Sequence, residues 1–354
     1  MTAPSTMSAP ALVEDRADLQ PLPWRRMAWV TWRQHRTALI GAFALIGALA
    51  LCLLIVGLQL HHAYNAAAAC HPANSAACTA LVDNFNGIGN FLSNGGLFQI
   101  VPPLIGAFVG APILAREFEA GTFRYAWTQG FGRWRWTLAK LVALGVAVAA
   151  ASAALSILAS WYYQPYFASG NQSLSLTEFN PLNPGLFDQR GLAFAAWTLT
   201  AFAIGALAGV LIRKVVPAIV TTLVVYAGLA FATGGWLRMH YLTPLVTKGL
   251  NVPGSARIVS QWGSRAGRVV FTGPPTFPIY QQYCPAQAGL GKGGGGPASG
   301  NPLQCLAQHG FTFGTSYQPA SRFWAFQWIE GGWLLALSVL LIAVTVWLVR
   351  RRAA

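Results

Sequence analysis

The stretch "ALIGAFALIGALALCLLIVGLQL", at residues 38–60, contains no charged side chain. A helix needs about 20 consecutive apolar residues to cross the hydrocarbon core of a bilayer. Inside lipid the backbone groups must bond to one another, so such a run forms a helix. The stretch therefore predicts a membrane-spanning helix near the start of the chain.

Five similar runs follow, and none has the alternation that is typical of a membrane β-barrel. The sequence predicts an all-α integral membrane protein with six transmembrane helices, at residues 38–60, 97–115, 138–162, 192–212, 215–237 and 328–349. Residues 1–20 have no apolar core, so we interpret them as a disordered cytoplasmic tail and not as a signal peptide. Residues 21–354 then form a single transmembrane domain.

The composition excludes a soluble domain, because 55% of the residues are hydrophobic and only 9% are charged. Soluble proteins have about 25% charged residues. The net charge of +14 could indicate nucleic-acid binding. However, Lys and Arg lie beside the apolar runs, where membrane topology requires them. We therefore expect membrane lipids, and no nucleic acid, as partners.

Motifs for catalysis are missing from the sequence. No Ser/His/Asp set, carboxylate pair or H-E-x-x-H motif occurs, so we expect no enzymatic activity, catalytic residue, metal site or bound cofactor in this chain. The glycine-rich stretch at residues 289–300 has Gly after Lys292, where a phosphate-binding loop requires Ser or Thr. We interpret it as a flexible linker.

The basic residues predict the orientation, because short cytoplasmic loops carry an excess of Lys and Arg. Fifteen of them lie on one side, namely Arg16, Arg25, Arg26, Arg33, Arg36, Arg116, Arg124, Arg133, Arg135, Lys140, Arg213, Lys214, Arg350, Arg351 and Arg352. Both termini are then cytoplasmic in a multi-pass protein of the cell membrane. A large extracellular loop, residues 238–327, joins helices 5 and 6.

The cysteines agree with this orientation. Cys70, Cys78, Cys284 and Cys305 all fall in connections that are predicted to lie outside, where disulfides form. We favour the local pairs Cys70–Cys78 and Cys284–Cys305, and cross-loop pairing is the alternative. Cys52 lies within the first helix and is predicted to be an inert thiol.

Three local features modify the helices. Residues 23–36 predict an amphipathic helix at the inner membrane surface, with a plain basic flank as the alternative. In the second helix, prolines predict a kink and a small-xxx-small pair predicts close packing; these residues are Pro102, Pro103, Gly106 and Gly110. Glu330, at the outer start of the last helix, has Arg322 as its expected partner, with an exposed carboxylate at the membrane interface as the alternative.

The most charged stretch, "REFEAGTFRYAWTQGFGRWRWTLAKL" at residues 116–141, connects the second and third helices. Glu117 and Glu119 are expected to face water or a basic partner. Gly121 permits a bend, and Thr122 could cap a short helix over residues 123–129. A basic and aromatic return to the inner leaflet follows. The pattern indicates a contact surface on the cytoplasmic face.

This stretch resembles the conserved segment of type-2 ABC exporter permeases. The resemblance includes an acidic residue, a Gly-Thr pair, a basic residue and a Lys-Leu pair that opens the third helix. The six-helix layout also resembles the family, and "YQPASRFWAFQWIEGGW" at residues 317–333 resembles an actinobacterial subgroup. The long outer loop departs from the family pattern.

The resemblance implies a mechanism. A separate ATPase subunit, holding ATP and Mg²⁺, would drive this chain through a coupling helix at residues 116–129. The implied coupling residues are Arg116, Glu117, Glu119, Gly121, Thr122, Arg124, Trp127, Arg133 and Lys140, with Arg213 and Lys214 as a second contact. A second permease subunit, identical or different, would complete the path, and export is the implied direction.

Two alternative functions remain open at the level of the sequence, a secondary transporter driven by an ion gradient and a membrane protein that does not transport. The loop at residues 238–327 has seven basic residues and no acid. A sensor partner or an immunity protein that does not transport could act through this basic extracellular loop.

Overall fold

The computed structural model describes residues 24–71, 75–93, 96–121, 133–168, 180–284 and 302–352. Six helical segments in these ranges are long and apolar enough to cross a membrane. We call them spans 1 to 6, and they are Leu39–Ala68, Val101–Glu119, Trp134–Tyr162, Gly191–Ile212, Val215–His240 and Ala320–Arg351. The six predicted helices are therefore present. The tail at residues 1–20 lies outside the described residues.

Span 1 is part of a longer helix than the sequence predicted. It belongs to one helix, Trp24–Ala68, which is 45 residues long. The predicted surface helix at residues 23–36 is thus not a separate element, since no Pro or Gly interrupts residues 24–40. The helix also continues past residue 60. The His61 ring stacks on Trp161, with the ring centroids 4.4 Å apart, and its Nδ1 lies 2.9 Å from the Gly57 carbonyl oxygen.

Span 4 is the central helix of the bundle and packs against spans 2, 3, 5 and 6. Within its most apolar window 72% of the residues are buried, against 11% in span 5. Span 2 approaches it closely. A Cβ added at Gly106 would lie 2.6 Å from the Ala201 carbonyl oxygen, and one at Gly110 would lie 2.5 Å from the Phe202 carbonyl oxygen. Between these two glycines the backbone is π-helical, Gly106–Gly110, with α-helix at Val101–Ile105 and Ala111–Glu119.

The remaining helices complete or connect the spans. Span 3 lies in Arg133–Tyr162, span 5 consists of Val215–Gly235 and the 3₁₀ turn Leu237–His240, and span 6 consists of the 3₁₀ turn Ala320–Arg322 and Phe323–Arg352. The connecting helices are Ala76–Ser93, Gly96–Gln99, Gln164–Ala168, Pro184–Phe187, Phe277–Tyr283 and Pro302–Gln308.

The connection between spans 5 and 6 contains a folded sheet, which the sequence did not predict. Its strands are β1 (Leu245–Lys248), β2 (Arg257–Arg265), β3 (Arg268–Thr272) and β4 (Phe311–Gln318). All neighbours are antiparallel, in the order β1-β4-β2-β3. The all-α prediction holds for the spans, and this small sheet is added to them. The linker at residues 289–300 lies outside the described residues.

Both predicted disulfides are present. Cys70 is bonded to Cys78, with their Cα atoms 5.7 Å apart, and ties the end of span 1 to the helix Ala76–Ser93. Cys284 is bonded to Cys305, with their Cα atoms 6.2 Å apart. The second bond joins the two helices that cover one face of the sheet, where Leu306 and Phe311 are buried.

The two ends of the bundle can be named by what they carry. The sheet end holds the sheet, both disulfides and the described residues of the connections between spans 1 and 2, 3 and 4, and 5 and 6. The terminus end holds the first and last described residues, the described ends of spans 2 and 3, and the turn between spans 4 and 5.

A substitution at Gly205 in span 4 tests the close packing of spans 2 and 4. In Gly205→Ala the new Cβ would press on the Gly106 carbonyl oxygen and lie 2.7 Å from Ala111 N. We expect a loss of about 1–3 kcal/mol of stability from overpacking, measured as a lower thermal unfolding temperature in detergent.

Gly228→Ala is the matched control, because nothing lies within 4 Å of a Cβ at Gly228 in span 5. There the substitution should stabilise the helix by about 0.5–1 kcal/mol. A Gly205→Ala variant as stable as Gly228→Ala would contradict the packing.

Candidate coupling site and buried charge network

The acidic part of the charged stretch forms the last turn of span 2 at the terminus end. Helix Ala111–Glu119 ends at Ala120, and Gly121 follows with φ +67°. This left-handed conformation suits glycine after a helix, which is the bend that the sequence indicated. Thr122, Arg124, Trp127 and the predicted helix at residues 123–129 lie outside the described residues. The backbone of Arg133 is described as the first residue of its helix, and Arg116 is exposed.

Glu117 and Lys140 form an ion pair between spans 2 and 3. The Lys140 side chain is fully buried, whereas Glu117 is 20% exposed. The Lys140 ammonium also lies 4.5 Å from the centre of the Trp136 ring, a favourable cation–π distance. The basic partner expected for Glu117 is therefore a residue of the same chain, and the pair holds spans 2 and 3 together.

Glu119 contacts span 5. Its Oε2 accepts a hydrogen bond from Val215 N at 3.0 Å, and the preceding residue, Lys214, makes no side-chain cap for that helix. A carboxylate at a helix N-terminus satisfies a free backbone N–H and opposes the positive end of the helix dipole. Glu119 thus caps span 5 from span 2.

Arg213 lies in the same place, in the turn between spans 4 and 5. It has φ +60° and ends span 4, and its guanidinium lies 5.7 Å from the centre of the Phe118 ring. The end of span 2 is thus in contact with spans 3 and 5 and with the turn after span 4. The structure brings together Glu117, Glu119, Lys140 and Arg213, which the sequence placed in two separate contacts.

A second charged cluster lies at the sheet end and is fully built from this chain. Glu330 of span 6 is completely buried, and Arg238 of span 5 is nearly so. Arg238 donates from Nε to Glu330 Oε2 at 2.9 Å and from Nη2 to Glu330 Oε1 at 2.6 Å. Arg238 Nη2 also donates to Asp188, which precedes span 4. Spans 5 and 6 and the connection before span 4 therefore share one arginine.

The prediction that Arg322 is the partner of Glu330 is wrong. Arg322 donates from Nη1 to the Thr243 carbonyl oxygen at 2.7 Å and to Gln318 Oε1 at 2.6 Å. Eight residues of helix separate it from Glu330 by about 12 Å along the axis. The true partner is 92 residues away in sequence, so no local pattern could indicate it.

Aromatic side chains fix the Glu330 carboxylate from the other side. Trp197 Nε1 donates to Oε1 at 2.9 Å, and the Tyr241 hydroxyl donates to Oε2 at 3.2 Å. Trp333 Nε1 in turn donates to the Tyr241 hydroxyl at 3.0 Å. The carboxylate thus has charged or polar partners on both oxygens, as a buried carboxylate requires.

Gln327, one turn before Glu330, makes an independent contact with the start of span 4. Its Oε1 accepts from Ala193 N at 2.8 Å, and its Nε2 donates to the Phe187 carbonyl oxygen at 3.0 Å. The polar positions in "FQWIEGGW" therefore face spans 4 and 5. The signal in the sequence is that Glu330 is the only acid after Asp188.

One group of possible metal ligands occurs in the described part of the chain. The ligand atoms of Cys284, Cys305 and His309 all lie within 4.8 Å of one another. Both sulfurs belong to the disulfide, which leaves the imidazole as the one ligand there. We assign no metal site to this group.

The fold and its buried charges define a multi-pass membrane protein. A family description, ABC-2 membrane transporter related, matches residues 43–238, which include spans 2 to 4 and most of spans 1 and 5. The chain belongs to this family, and its role is that of a permease-like component of an ABC transporter. No curated protein and no solved structure matches the chain.

The ion pair between Glu117 and Lys140 predicts an asymmetric effect of its two single substitutions. Glu117→Gln leaves a fully buried ammonium unpaired and should cost about 3–5 kcal/mol. Lys140→Met leaves a partly exposed carboxylate and should cost less. The double variant should recover most of the loss, measured by thermal unfolding in one detergent. Equal losses that add in the double variant would contradict the pairing.

Asp188 predicts a dependence of stability on pH. Burial and the neighbouring Glu330 raise the pKa of Asp188 to about 6, although Arg238 acts in the opposite direction. The folded chain then binds a proton more tightly than the unfolded chain, so stability should fall as the pH rises through 4 to 6, by about 1.4 kcal/mol per pKa unit of difference. Thermal unfolding between pH 4 and 8 measures this.

Asp188→Asn is the control for this pH dependence. Asparagine cannot titrate, and it keeps the size and a hydrogen-bond acceptor for Arg238. The slope between pH 4 and 6 should be smaller in the variant than in the wild type, and an unchanged slope would assign the titration to another group.

Proposed function

We propose that this chain is the permease subunit of an ABC exporter in the cell membrane, driven by a separate ATPase subunit at the terminus end. One structural observation supports the proposal in addition to the family match. The last turn of span 2 is bonded to span 3 through Glu117 and Lys140 and to span 5 through Glu119 and Val215 N. A force applied to the connection after Gly121 would therefore reach three spans at once.

The orientation is part of the proposal. The fifteen Lys and Arg residues that are predicted to lie on one side would make the terminus end cytoplasmic. The sheet end carries both disulfides and would lie outside, where disulfides persist. The ATPase, with its ATP and Mg²⁺, then meets residues 116–129 and the turn at Arg213 and Lys214. We further propose that a second permease subunit pairs with the chain and that lipid surrounds the exposed faces.

The structure gives less support than the sequence to the alternative function, in which the chain does not transport and acts through its basic loop. Four of the seven basic residues have contacts within the chain. Arg238 bonds Glu330, Arg257 donates to the Leu182 carbonyl oxygen, Arg322 donates to Thr243, and Arg265 lies 5.1 Å from the Tyr283 ring centre. These four charges serve the fold of the sheet end.

Charge reversal at Glu119 tests the coupling. Glu119 is exposed, so it can contact a partner while it caps span 5. The wild-type chain should purify in mild detergent with an ABC ATPase, and the pair should couple ATP hydrolysis to transport in proteoliposomes. Glu119→Lys should lower transport at least tenfold, because the cap and the acidic contact are both lost.

Lys248→Glu is the matched control, since it reverses an exposed charge at the sheet end. It should leave transport within about twofold of the wild type. Thermal unfolding of both variants separates coupling from folding. Full transport by a folded Glu119→Lys variant, or purification without an ABC ATPase, would overturn the proposal.

A further inference from the structure

Span 5 makes polar contacts at both of its ends and has few completely buried side chains between them. It buries only Ala218, Thr222 and Thr233 completely, and much of its surface is exposed. At the terminus end Glu119 caps its first residue, and at the sheet end Arg238 bonds Glu330 and Asp188. The helix Val215–Gly235 is 21 residues long, which makes a rigid arm of about 32 Å between these two attachments.

The attachment at the sheet end offers one arginine to two carboxylates. Glu330 is fully buried and is held in two hydrogen bonds, the planar arrangement that arginine favours. Asp188 is 26% exposed and accepts from a single nitrogen. The two acids thus differ in depth, and the guanidinium reaches both of them from the 3₁₀ turn Leu237–His240.

Stability of the fold does not by itself explain why this cluster of Arg238, Glu330 and Asp188 is present. Arg238 Nη1 is buried and has no hydrogen-bond partner among the described residues, which costs free energy. Buried ion pairs can often be replaced by apolar residues without loss of stability. A buried charged group with a second, shallower partner close by is instead suited to an element that has two positions.

We propose that Arg238 exchanges between a position bonded to both Glu330 and Asp188 and a position bonded to Asp188 alone, and that this exchange releases the sheet end of span 5 from spans 4 and 6. In the closed position, which the structure shows, Glu330 holds Arg238 in the buried site. In the open position Arg238 stays with Asp188 alone, and the buried face of span 5 becomes accessible to water. Arg238, Glu330 and Asp188 are thus positioning residues for the transport cycle, and this cyclic role rests on the proposed function.

The raised pKa of Asp188 agrees with this exchange. Burial, and to a lesser extent the neighbouring Glu330, raises the pKa of Asp188 although Arg238 lowers it, so the charged form of Asp188 is disfavoured in the closed position. The charge of Asp188 therefore favours the open position, whereas the charge of Glu330 favours the closed one. The two acids should have opposite effects when each is neutralised.

Thr233→Cys reports the opening, because Thr233 is completely buried on the face of span 5 that packs into the bundle. The free Cys52 is first replaced by Ser, which leaves only the four disulfide-bonded cysteines beside the reporter. The labelling rate with a charged methanethiosulfonate reagent is measured on purified protein in lipid nanodiscs. Lys248→Cys, which is exposed, calibrates the reagent.

Glu330→Gln should raise the labelling rate of the reporter at least tenfold, and Asp188→Asn should lower it at least twofold. Gln327→Ala is the matched control, because Gln327 is buried one turn away and bonds the start of span 4 without contact to Arg238. It should change the rate less than twofold. Asp188→Asn keeps the test decisive if Glu330→Gln fails to fold.

The exchange would be overturned if Glu330→Gln and Asp188→Asn changed the labelling rate in the same direction. It would also be overturned if Gln327→Ala raised the labelling rate as much as Glu330→Gln. These measurements use the chain without an ATPase. The exchange can therefore fail while ATP-driven transport stands, and the proposed function can fail while the labelling follows the expected pattern.

Discussion

The ion pair between Arg238 and Glu330 closes one end of a bundle whose fifth helix has few buried side chains of its own. In lipid, apolar surface does not drive helices together, because the hydrocarbon around them is equally apolar. Charged groups are different, since each one needs a partner when water is excluded. The pair therefore specifies which position span 5 takes at the sheet end, because a different position would leave a buried charge without its partner.

The same rule explains where the acids of this chain are placed. Of the five acidic side chains that the structure describes, Asp83 is exposed and makes no bond between spans. The other four connect segments that are distant in sequence: Glu117 bonds Lys140, Glu119 bonds Val215 N, and Asp188 and Glu330 share Arg238. Acids therefore fasten span 5 at both ends, while glycines let spans 2 and 4 meet in the middle of the bundle.

The sequence predicted the spans well, because each run of about 20 apolar residues encodes its own helix. The cysteine pairs and the bend at Gly121 were also local signals. The partners of Glu117, Glu119 and Glu330 are 23, 96 and 92 residues away, and helical spacing carries no information at such distances. The basic residue nearest to Glu330 in sequence is Arg322, and for this reason Arg322 was predicted as its partner instead of Arg238.

The sheet was missed for a related reason. β2 and β3 pair through a turn at Ala266 and Gly267, both with positive φ, which is a local signal. However, the central partner of β2 is β4, about 50 residues later, and the helices joined by the second disulfide cover the sheet. Because these strands are stabilised by long-range contacts, the local sequence of this glycine-rich loop did not predict the sheet.

If the ATPase acts on span 5 through Glu119 and the exchange at Arg238 releases its other end, nucleotide binding should change the distance between spans 5 and 6. Spin labels at Phe231→Cys and Val339→Cys, both exposed in the structure, would be measured by double electron–electron resonance in the assembled transporter, with Cys52 replaced by Ser. We expect one distance without nucleotide and a second, longer population with ATP. A single unchanged distribution in a preparation that hydrolyses ATP and transports would contradict this expectation.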